Sequence, residues 1–491
     1  MASLMNVPAP SAHQTAILDW IATHEGGALV VEAVAGSGKT TTLRMIAGAL
    51  RDKGIPASEI LYLAFGKDLC NEVAPKLAGL AQARTIHSHG FEGLRKAFRG
   101  RLDFKKGDAL REQVLGGDPD LATLGKGERA VREWALMDLL SKALVSISGT
   151  SLPEVEYMVD HYGIDLDAGW AQPRLERLMG ASVAMSRRGV HSFDDMIAMP
   201  AREGLAVGRY PVVLVDEAQD LSPAQRAVAL ASVATGGMVI FVGDPRQAIF
   251  GFAGATCESI DEIVEATGAD VLPLSVTYRC PASHVAMAQR IVPAIQAAPG
   301  AAPGTLVEIT REEVPSLVQR GDLMICRRTA PVISMAFRLI ANGIAAKVKG
   351  RDIGKGLVVL ARKVAGKAPM AQFLSRLDSH MDRQRALLAT KPIRLQMEQD
   401  KADALEVIVA SQSPASLDDL VVRIDGIFND DGGVVTLSTI HKAKGLEADR
   451  VFLLDVDRVQ LPARTEWQAK QEANLHYVAL TRSKEALYLV P

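Results

Sequence analysis

A run of small residues near the start of the chain ends in a lysine and a threonine. Residues 33–40 read AVAGSGKT, between the apolar segment ALVVEA and a segment with helical periodicity. Backbone N–H groups in such a loop cradle phosphate oxygens, and the N-terminus of the following helix adds partial positive charge. Lys39 is placed to reach the β- and γ-phosphates, and the Thr40 hydroxyl to ligate Mg²⁺. The pattern predicts a nucleoside triphosphate site, although Ala33 stands where the strict pattern has glycine; a small-residue loop without a ligand is the alternative.

Two adjacent acids follow a second apolar segment. PVVLVD, at 211–216, leads directly into Glu217. An acid at such a strand end can hold Mg²⁺ opposite the loop hydroxyl, which predicts Asp216 as a metal ligand. Glu217 is then placed to accept a proton from an attacking water molecule. For an isolated pair of acids a solvated strand end is an equal alternative, but the phosphate loop favours catalysis.

A polar glutamine stands close to two phenylalanines in a third stretch, just past the end of an apolar run. Residues 242–255 read VGDPRQAIFGFAGA, which places Gln247 shortly before Phe250 and Phe252. On this stretch alone, a loop whose two rings fill the core is the better interpretation.

The segments around these residues are predicted to be apolar strands that alternate with helices. The strand candidates lie at 28–33, 60–65, 211–216, 238–242, 322–326, 433–437, 450–455 and 486–490. Helices are predicted over 11–23, where Ser11 can cap the first turn, and over 38–50. This alternation predicts an α/β fold with parallel sheets covered on both faces. Two regions, 91–188 and 363–428, read as helical insertions, and the first shows no convincing strand.

Composition narrows the class of protein. The chain has 491 residues, 48% apolar and 23% charged, with a formal net charge of −2. A protein that wraps nucleic acid over its whole surface would be basic, so a nucleic-acid site here has to be a local groove. The four cysteines lack metal-ligand spacing and suit a reduced, cytoplasmic protein. We find no signal peptide and no apolar run long enough to span a membrane.

Taken together and in order, the motifs resemble those of the UvrD/Rep/PcrA-like helicases of superfamily 1. The resemblance covers nearly the whole chain. The matching stretches are SAHQTAIL (11–18), AVAGSGKT (33–40), LYLAFGKDLCNEV (61–73), TIHSHGF (85–91), VDEAQD (215–220), VGDPRQAIFGFAGA (242–255), LSVTYRCP (274–281), VVTLSTIHKAKGLEADRV (434–451) and NLHYVALTRSK (474–484).

The resemblance implies two RecA-like P-loop domains, each with a parallel sheet and a helical insertion. The expected ranges are 1–90 and 189–270 for the first domain, 91–188 for its insertion, 271–362 and 429–491 for the second domain, and 363–428 for a small second insertion. ATP with Mg²⁺ is expected to bind between the two domains.

The resemblance also implies a set of nucleotide contacts. Gln14 looks like the family's adenine-reading glutamine, and Tyr278 would stack on adenine. Catalysis is expected from Lys39, Glu217, Gln247, Arg279 and Arg482, the two arginines acting on the γ-phosphate. The remaining nucleotide contacts are expected at Ala35, Gly36, Ser37, Gly38, Thr40, Thr41, Gly445 and Glu447. The family often carries an arginine at the position of Thr41, so nucleotide selectivity leans on Gln14 and Tyr278.

For single-stranded DNA the resemblance implies contacts from aromatic and polar side chains. Stacking on an aromatic ring tolerates any base sequence, as a motor that moves along DNA requires. The expected contacts are Phe65, His87, Phe193, Phe250, Phe252, Thr439 and His441. Gln247 would then relay the state of the nucleotide to Phe250 and Phe252. Ordinary packing is the alternative for each residue taken singly.

A basic stretch follows the fourth of these motifs. Residues 94–107 read LRKAFRGRLDFKKG, with six basic residues and one acid. A solvated face and a surface that tracks DNA phosphates are equally good interpretations.

Three functions compete. The first is an ATP-dependent helicase that moves 3′ to 5′ on single-stranded DNA, acts at single-strand/duplex junctions and works as a monomer. The second, kept open by the short insertion at 363–428, is a partner-dependent, DNA-stimulated ATPase that remodels protein–DNA complexes or drives a separate nuclease. The third is a nucleotide-gated switch, against which the arginines and Glu217 argue because they favour fast hydrolysis. The partner protein and the pathway, repair or replication, stay open.

Overall fold

The computed structural model describes residues 9–249, 258–366, 368–388, 392–428, 435–463 and 466–491. The chain divides into two compact units, Met1–Ser275 and Val276–Pro491. No helix in these described ranges is both long and apolar enough to cross a membrane.

The first unit is built on a parallel sheet. Its strands, in chain order, are β1 (Gly27–Ala33), β2 (Ile60–Ala64), β3 (Gln82–Thr85), β4 (Arg101–Leu102), β5 (Val190–His191), β6 (Tyr210–Asp216), β7 (Val233–Gly243) and β8 (Asp270–Leu274). Six of them form one sheet in the order β3-β2-β6-β7-β1-β8, and every pairing in it is parallel. The strands β4 and β5 pair separately. Only β7 lies between β1 and β6, and all three strands run in the same direction. The residues that follow β1 and β6 therefore lie at the same edge of the sheet.

Helices cover this sheet and form a block of their own. The helices are α1 (Ala12–Thr23), α2 (Lys39–Asp52), α3 (Lys67–Val73), α4 (Ile86–Ala97), α5 (Lys106–Leu115), α6 (Pro119–Ala122), α7 (Lys126–Ser146), α8 (Leu152–Tyr162), α9 (Ala168–Arg187), α10 (Asp195–Glu203), α11 (Pro223–Ala231) and α12 (Ser259–Thr267). Ser11 caps α1 as predicted, in a capping box with Gln14. The helices α5 to α9 enclose a hydrophobic core that is distinct from the two that flank the sheet.

The second unit repeats the plan with a second parallel sheet. Its strands are β9 (Val276–Thr277), β10 (Gln296–Ala297), β11 (Thr305–Glu308), β12 (Leu323–Cys326), β13 (Ala346–Val348), β14 (Val435–Thr439), β15 (Ala448–Leu454) and β16 (Ser483–Val490). The sheet order is β11-β16-β15-β12-β14-β13, again with parallel pairings, and β9 pairs with β10. The predicted α/β class with parallel sheets is therefore confirmed.

The second unit also contains helices, several of which share one core with its sheet. They are α13 (Ala282–Ala288), α14 (Val314–Leu317), α15 (Thr329–Ala341), α16 (Arg351–Ala365), α17 (Phe373–Leu387), α18 (Pro392–Gln412), α19 (Leu417–Ile427), α20 (Ile440–Ala443) and α21 (Glu466–Leu480). Phe373 of α17 and Leu405 of α18 belong to the same buried cluster as Met324 and Leu437 of the sheet. The helices at 363–428 therefore pack as part of this unit's core.

Each predicted strand overlaps an observed one, and the missed strands of the two six-stranded sheets share a position. The missed sheet strands β3, β8, β11 and β13 are the four sheet edges. Edge strands are partly exposed, so they lack the continuous apolar run that marks a buried parallel strand. The expectation that 91–188 holds no strand was wrong, because β4 lies within it and pairs with β5.

Candidate functional site

The loop at 33–40 connects β1 to α2 at the carboxyl edge of the first sheet. Gly36 and Gly38 have φ angles of 71° and 82°, in the left-handed region that glycine enters without steric cost. Gly38 is the N-cap of α2, so the free N–H groups of the first helical turn face the loop. Ser37 is fully buried, and its Oγ has no hydrogen-bond partner among the described residues. A phosphate oxygen would supply that partner, so these residues fit a nucleotide's phosphates.

Lys39 lies among acidic side chains. Its Nζ donates a hydrogen bond to Glu217 Oε2 at 3.3 Å. Burial lowers the pKa of Lys39, but the negative charges of Glu217, Asp244 and Asp216 outweigh burial and raise that pKa above its usual range. Lys39 is therefore held charged, as a phosphate-binding lysine must be.

The two acids after β6 differ in their surroundings. Asp216 is buried; its Oδ2 accepts a hydrogen bond from the Tyr62 hydroxyl and its Oδ1 from the Glu217 backbone N–H, both at 2.9 Å. Burial, followed by the charge on Glu217, raises the pKa of Asp216 to about 6. Glu217 has a φ of 53°, a left-handed conformation that costs a non-glycine residue of order 1–3 kcal/mol and is often found at functional sites. The strained turn brings the Glu217 carboxylate to Lys39.

Hydrogen bonds connect Glu217 to Gln247. Gln219 Nε2 donates to Glu217 Oε2 at 2.6 Å, and Gln219 Oε1 accepts from the Asp244 backbone N–H at 2.9 Å. Gln247 Nε2 in turn donates to Asp244 Oδ2 at 2.6 Å. Burial raises the pKa of Asp244. The sequence analysis missed Gln219, Asp244 and Tyr62, although Asp244 stands directly after a strand end, as Asp216 and Glu217 do.

Gln14 lies beside the phosphate loop, with both ends of its amide engaged. Its Nε2 donates to Thr42 Oγ1 at 3.0 Å, and its Oε1 accepts from the Ser11 backbone N–H at 2.9 Å. The nucleotide contacts expected at Thr40 and Thr41 fall in the first turn of α2, where both residues are half-buried. Reading adenine would require Gln14 to exchange at least one of these two hydrogen bonds.

In the second unit Arg279 and Glu447 lie together. Arg279 Nε donates to Glu447 Oε2 at 2.7 Å, and its Nη1 donates to the Thr481 carbonyl at 3.2 Å. Lys484 Nζ lies 2.7 Å from Glu447 Oε1. Burial raises the pKa of Glu447, but Lys484 and Arg279 outweigh it and hold that pKa below its usual range.

The other predicted site residues of this unit differ in their exposure to solvent. Arg482 is buried and donates to the Val478 carbonyl at 2.9 Å and to Thr481 Oγ1 at 3.1 Å. Tyr278 is 54% exposed, so its ring is open to a ligand. Gly445 has a φ of 83° and no neighbouring atom within 4 Å of the position a Cβ would take. Arg482 would have to give up buried hydrogen bonds to contact a phosphate, whereas the Tyr278 ring is already exposed.

Comparison with known proteins gives the family. The model of the AAA domain matches residues 14–253, and the model of the UvrD-like helicase C-terminal domain matches residues 391–490. The chain belongs to the UvrD-like helicases of superfamily 1.

Similar proteins come from distant organisms. The ATP-dependent DNA helicase UvrD2 of Mycobacterium tuberculosis is 25% identical over 547 residues, covering 94% of this chain and 76% of the relative. The F-box DNA helicase 1 of Gallus gallus is 23% identical, over 95% of this chain and 47% of the relative. The ATP-dependent DNA helicase UvrD1 of M. tuberculosis is 28% identical over 271 residues, covering 49% of this chain and 34% of the relative. In a UvrD-like helicase the cluster around Lys39 and Glu217 and the cluster around Arg279 and Glu447 are candidates for the ATPase machinery.

Two candidate DNA contacts of the first unit, His87 and Phe193, contact each other. The His87 and Phe193 rings stack with centroids 4.2 Å apart and planes 20° apart. Phe193 is 52% exposed, while burial lowers the pKa of His87 to about 4. Phe65 is half-buried against the sheet's core. His87 is therefore neutral at physiological pH, and Phe193 offers a ring face or edge to solvent.

The other candidate DNA contacts fall in the second unit or outside the described residues. Thr439 caps α20, its Oγ1 accepting from the Lys442 backbone N–H at 3.4 Å. Burial, followed by the charges on Arg327 and Lys442, lowers the pKa of His441 to about 3. Phe250 and Phe252 lie outside the residues that the structure describes.

The basic stretch at 94–107 is not one surface. Lys106 is fully buried and pairs with Asp195 at 2.6 Å, and Lys96 pairs with Glu92 at 2.9 Å. The exposed basic residues Arg99, Arg101 and Lys105 remain as a candidate phosphate-binding surface.

Proposed function

We propose that this UvrD-like helicase uses ATP to move along single-stranded DNA in the 3′ to 5′ direction and to separate duplex at single-strand junctions. The observation that carries the proposal is the hydrogen-bonded path from Lys39 through Glu217, Gln219 and Asp244 to Gln247. Such a path suits a motor because one end lies at the phosphate loop and the other end, Gln247, stands three positions before Phe250 in the sequence. The direction of movement comes from the family resemblance.

The loop residues and the neighbouring acids would hold ATP with Mg²⁺. The N–H groups of the loop and Lys39 suit the phosphates, while the Thr40 hydroxyl and Asp216 supply oxygen ligands of the kind that Mg²⁺ prefers. When bound, the metal would neutralise phosphate charge. Glu217 would take the proton of the attacking water.

Residues of the second unit would complete the nucleotide chemistry. Tyr278 would stack on adenine, and Arg279 and Arg482 would stabilise charge on the γ-phosphate. Gly445 and Glu447 are proposed near the γ-phosphate and ribose. Because Arg279 pairs with Glu447, binding of ATP is expected to compete with this ion pair.

Single-stranded DNA is proposed as the polymer on which the motor acts. The names of the relatives describe DNA helicases. The exposed Phe193 ring beside His87 suits stacking on unpaired bases of any sequence. Phe65, Thr439 and His441 are proposed as further contacts, and a monomer in the cytoplasm as the working form.

The test is the ATPase rate with and without single-stranded DNA. The protein is expected to hydrolyse ATP faster when the strand is present, and Lys39→Ala to abolish both rates. Lys76→Ala is the matched control, because Lys76 is an exposed lysine of the same unit that pairs with Glu72. A rate that single-stranded DNA leaves unchanged would remove the motor and leave a DNA-independent ATPase.

Arg279 needs a comparison of its own. Arg279→Ala is expected to lower kcat by about 10³, the scale of an arginine that stabilises the transferring phosphoryl group. Arg290→Ala removes an exposed arginine of the same unit and should leave kcat unchanged. If Arg279→Ala also left kcat within tenfold of the wild-type value, the proposed role of Arg279 on the γ-phosphate would be wrong.

A further inference from the structure

Two exposed phenylalanines follow two neighbouring short strands of the first unit. Phe104 comes two residues after β4 and is 83% exposed, and Phe193 comes two residues after β5 and is 52% exposed. Exposed aromatic rings are uncommon in a chain with 5% aromatic residues. Phe193 is a candidate DNA contact, but no function attaches to Phe104.

The pairing of the strands places the two rings at equivalent positions. In the ladder Arg101 pairs with Val190 and Leu102 with His191. The Asp103 backbone N–H then donates to the His191 carbonyl at 2.7 Å. Beyond the strands, Lys106 Nζ bonds to Asp195 Oδ2 at 2.6 Å with the same offset of 89 residues. Phe104 and Phe193 share that offset and fall between these contacts, so they lie in register on adjacent segments.

A buried polar cluster fixes both segments. The Lys106 ammonium also donates to the Ser182 carbonyl at 2.8 Å and to Ser186 Oγ at 2.7 Å. Asp195 Oδ2 accepts from the backbone N–H of Ser192 at 2.5 Å. Lys106 and Asp195 are both fully buried. Because each phenylalanine stands within two residues of this cluster, neither ring sits on a freely moving loop.

Exposed cations stand close to Phe104 in the sequence. Arg99, Arg101 and Lys105 are all exposed, and the ion pairs of the described residues do not involve them. Asp103, the one acid in the sequence from 94 to 107, is half-buried and accepts a hydrogen bond from the Lys105 backbone N–H at 2.9 Å. An aromatic ring among unpaired cations has the composition of a surface that binds single-stranded nucleic acid.

We propose that Phe104 stacks on a base of single-stranded nucleic acid and extends the Phe193 site onto the helical insertion. Arg99, Arg101 and Lys105 hold the phosphates on either side of that base. The occupant is an unpaired strand, because a duplex keeps the faces of its bases stacked on one another and closed to a protein ring. This inference rests on the proposed function, since it deepens the same DNA site.

The test compares two strands of equal length, oligodeoxythymidine and an abasic strand with the same phosphates. Phe104→Ala is expected to weaken binding to the thymidine strand about fivefold or more, from the stacking scale of roughly 1–3 kcal/mol per base. It should leave binding to the abasic strand unchanged, because that strand has nothing to stack. Phe104→Trp, which keeps a ring, should retain the affinity.

Two controls separate stacking from other causes. Tyr157→Ala removes another exposed aromatic ring of the helical insertion, 59% exposed, and should change neither affinity. Arg101→Ala should weaken both strands and lower the slope of log affinity against log salt by about 0.7.

The outcomes are distinct. If Phe104→Ala bound the thymidine strand as the wild type does, or lost affinity equally for both strands, the inference would be overturned. Loss of binding in Phe193→Ala together with full binding in Phe104→Ala would overturn it while sparing the proposed function. A wild-type protein that bound neither strand would overturn both.

Discussion

Lys39 and Glu217, 178 residues apart in the chain, form an ion pair with Nζ 3.3 Å from Oε2. The proposed phosphate-binding lysine and the proposed general base are therefore paired with each other. A phosphate that attracts Lys39 would loosen its hold on Glu217, which couples nucleotide binding to activation of water.

Glu217→Gln is expected to separate binding from hydrolysis. Loss of the general base should lower kcat by about 10²–10⁴. The affinity for ATP should hold or rise, because the glutamine no longer competes for the charge of Lys39. Single-turnover hydrolysis and a fluorescent nucleotide titration measure the two quantities, with Glu72→Gln, an exposed acid of the same unit, as the control. A fall of less than tenfold in kcat would assign the proton to another group.

Asp216→Asn is expected to stabilise the ligand-free protein in a pH-dependent way. Burial and the charge on Glu217 raise the pKa of Asp216 from the usual 3.8 to about 6. Between those values the folded protein keeps a proton that the unfolded chain has released, so this group's contribution to stability falls as the pH rises through the window. Asparagine does not titrate and keeps an acceptor for the Tyr62 hydroxyl.

The measurement is thermal unfolding without Mg²⁺ or nucleotide. The increase in Tm of Asp216→Asn over the wild type should be larger at pH 8 than at pH 4. An equal difference at both pH values would contradict the raised pKa, because the other groups cancel in the comparison.

Gln247→Ala is expected to uncouple ATP hydrolysis from DNA. The substitution removes the hydrogen bond to the Asp244 carboxylate, and a bond to a charged group is worth about 1.5–3 kcal/mol. The stimulation of ATPase by single-stranded DNA should therefore fall about tenfold or more, while ATP binding changes little. The neighbouring Arg246 is exposed, and Arg246→Ala serves as the control. Full stimulation in Gln247→Ala would remove Gln247 from the path.

Lys106→Met is expected to destabilise the first unit. It leaves the fully buried Asp195 without its cation, and breaking a buried ion pair in this way costs about 3–5 kcal/mol. Lys105→Met, one residue away and exposed, should cost under about 0.5 kcal/mol. Denaturant unfolding of the two variants gives the comparison, and equal stabilities would show that the pair contributes nothing net.

The sequence predicts those parts of the candidate site that consist of residues adjacent in the chain. The phosphate loop, with its glycines and Lys39, follows from one short stretch between a strand and a helix. Asp216 and Glu217 follow from their place after an apolar run. Asp244 was missed because its role depends on the fold, which brings the end of β7 beside Lys39 and Glu217.

Burial and strand pairing were harder to foresee. The sequence predicts Lys106 as part of a basic surface, because a run of charged residues does not show which of its side chains is buried. The relation of Phe104 to Phe193 follows only from the pairing of β4 with β5, which lies 89 residues further along the chain. The edge strands of both sheets escaped notice because partial exposure removes the apolar pattern on which strand prediction depends.

The most direct test of the motor is ATP-dependent unwinding of two duplexes, one with a 3′ single-stranded tail and one with a 5′ tail, with Lys39→Ala as the inactive control. The wild-type protein is expected to separate the 3′-tailed duplex and to leave the 5′-tailed one intact. Unwinding from the 5′ tail alone would contradict the proposed direction of movement. Unwinding of neither duplex, with the ATPase still stimulated by single strands, would contradict an autonomous helicase and leave a translocase that needs a partner.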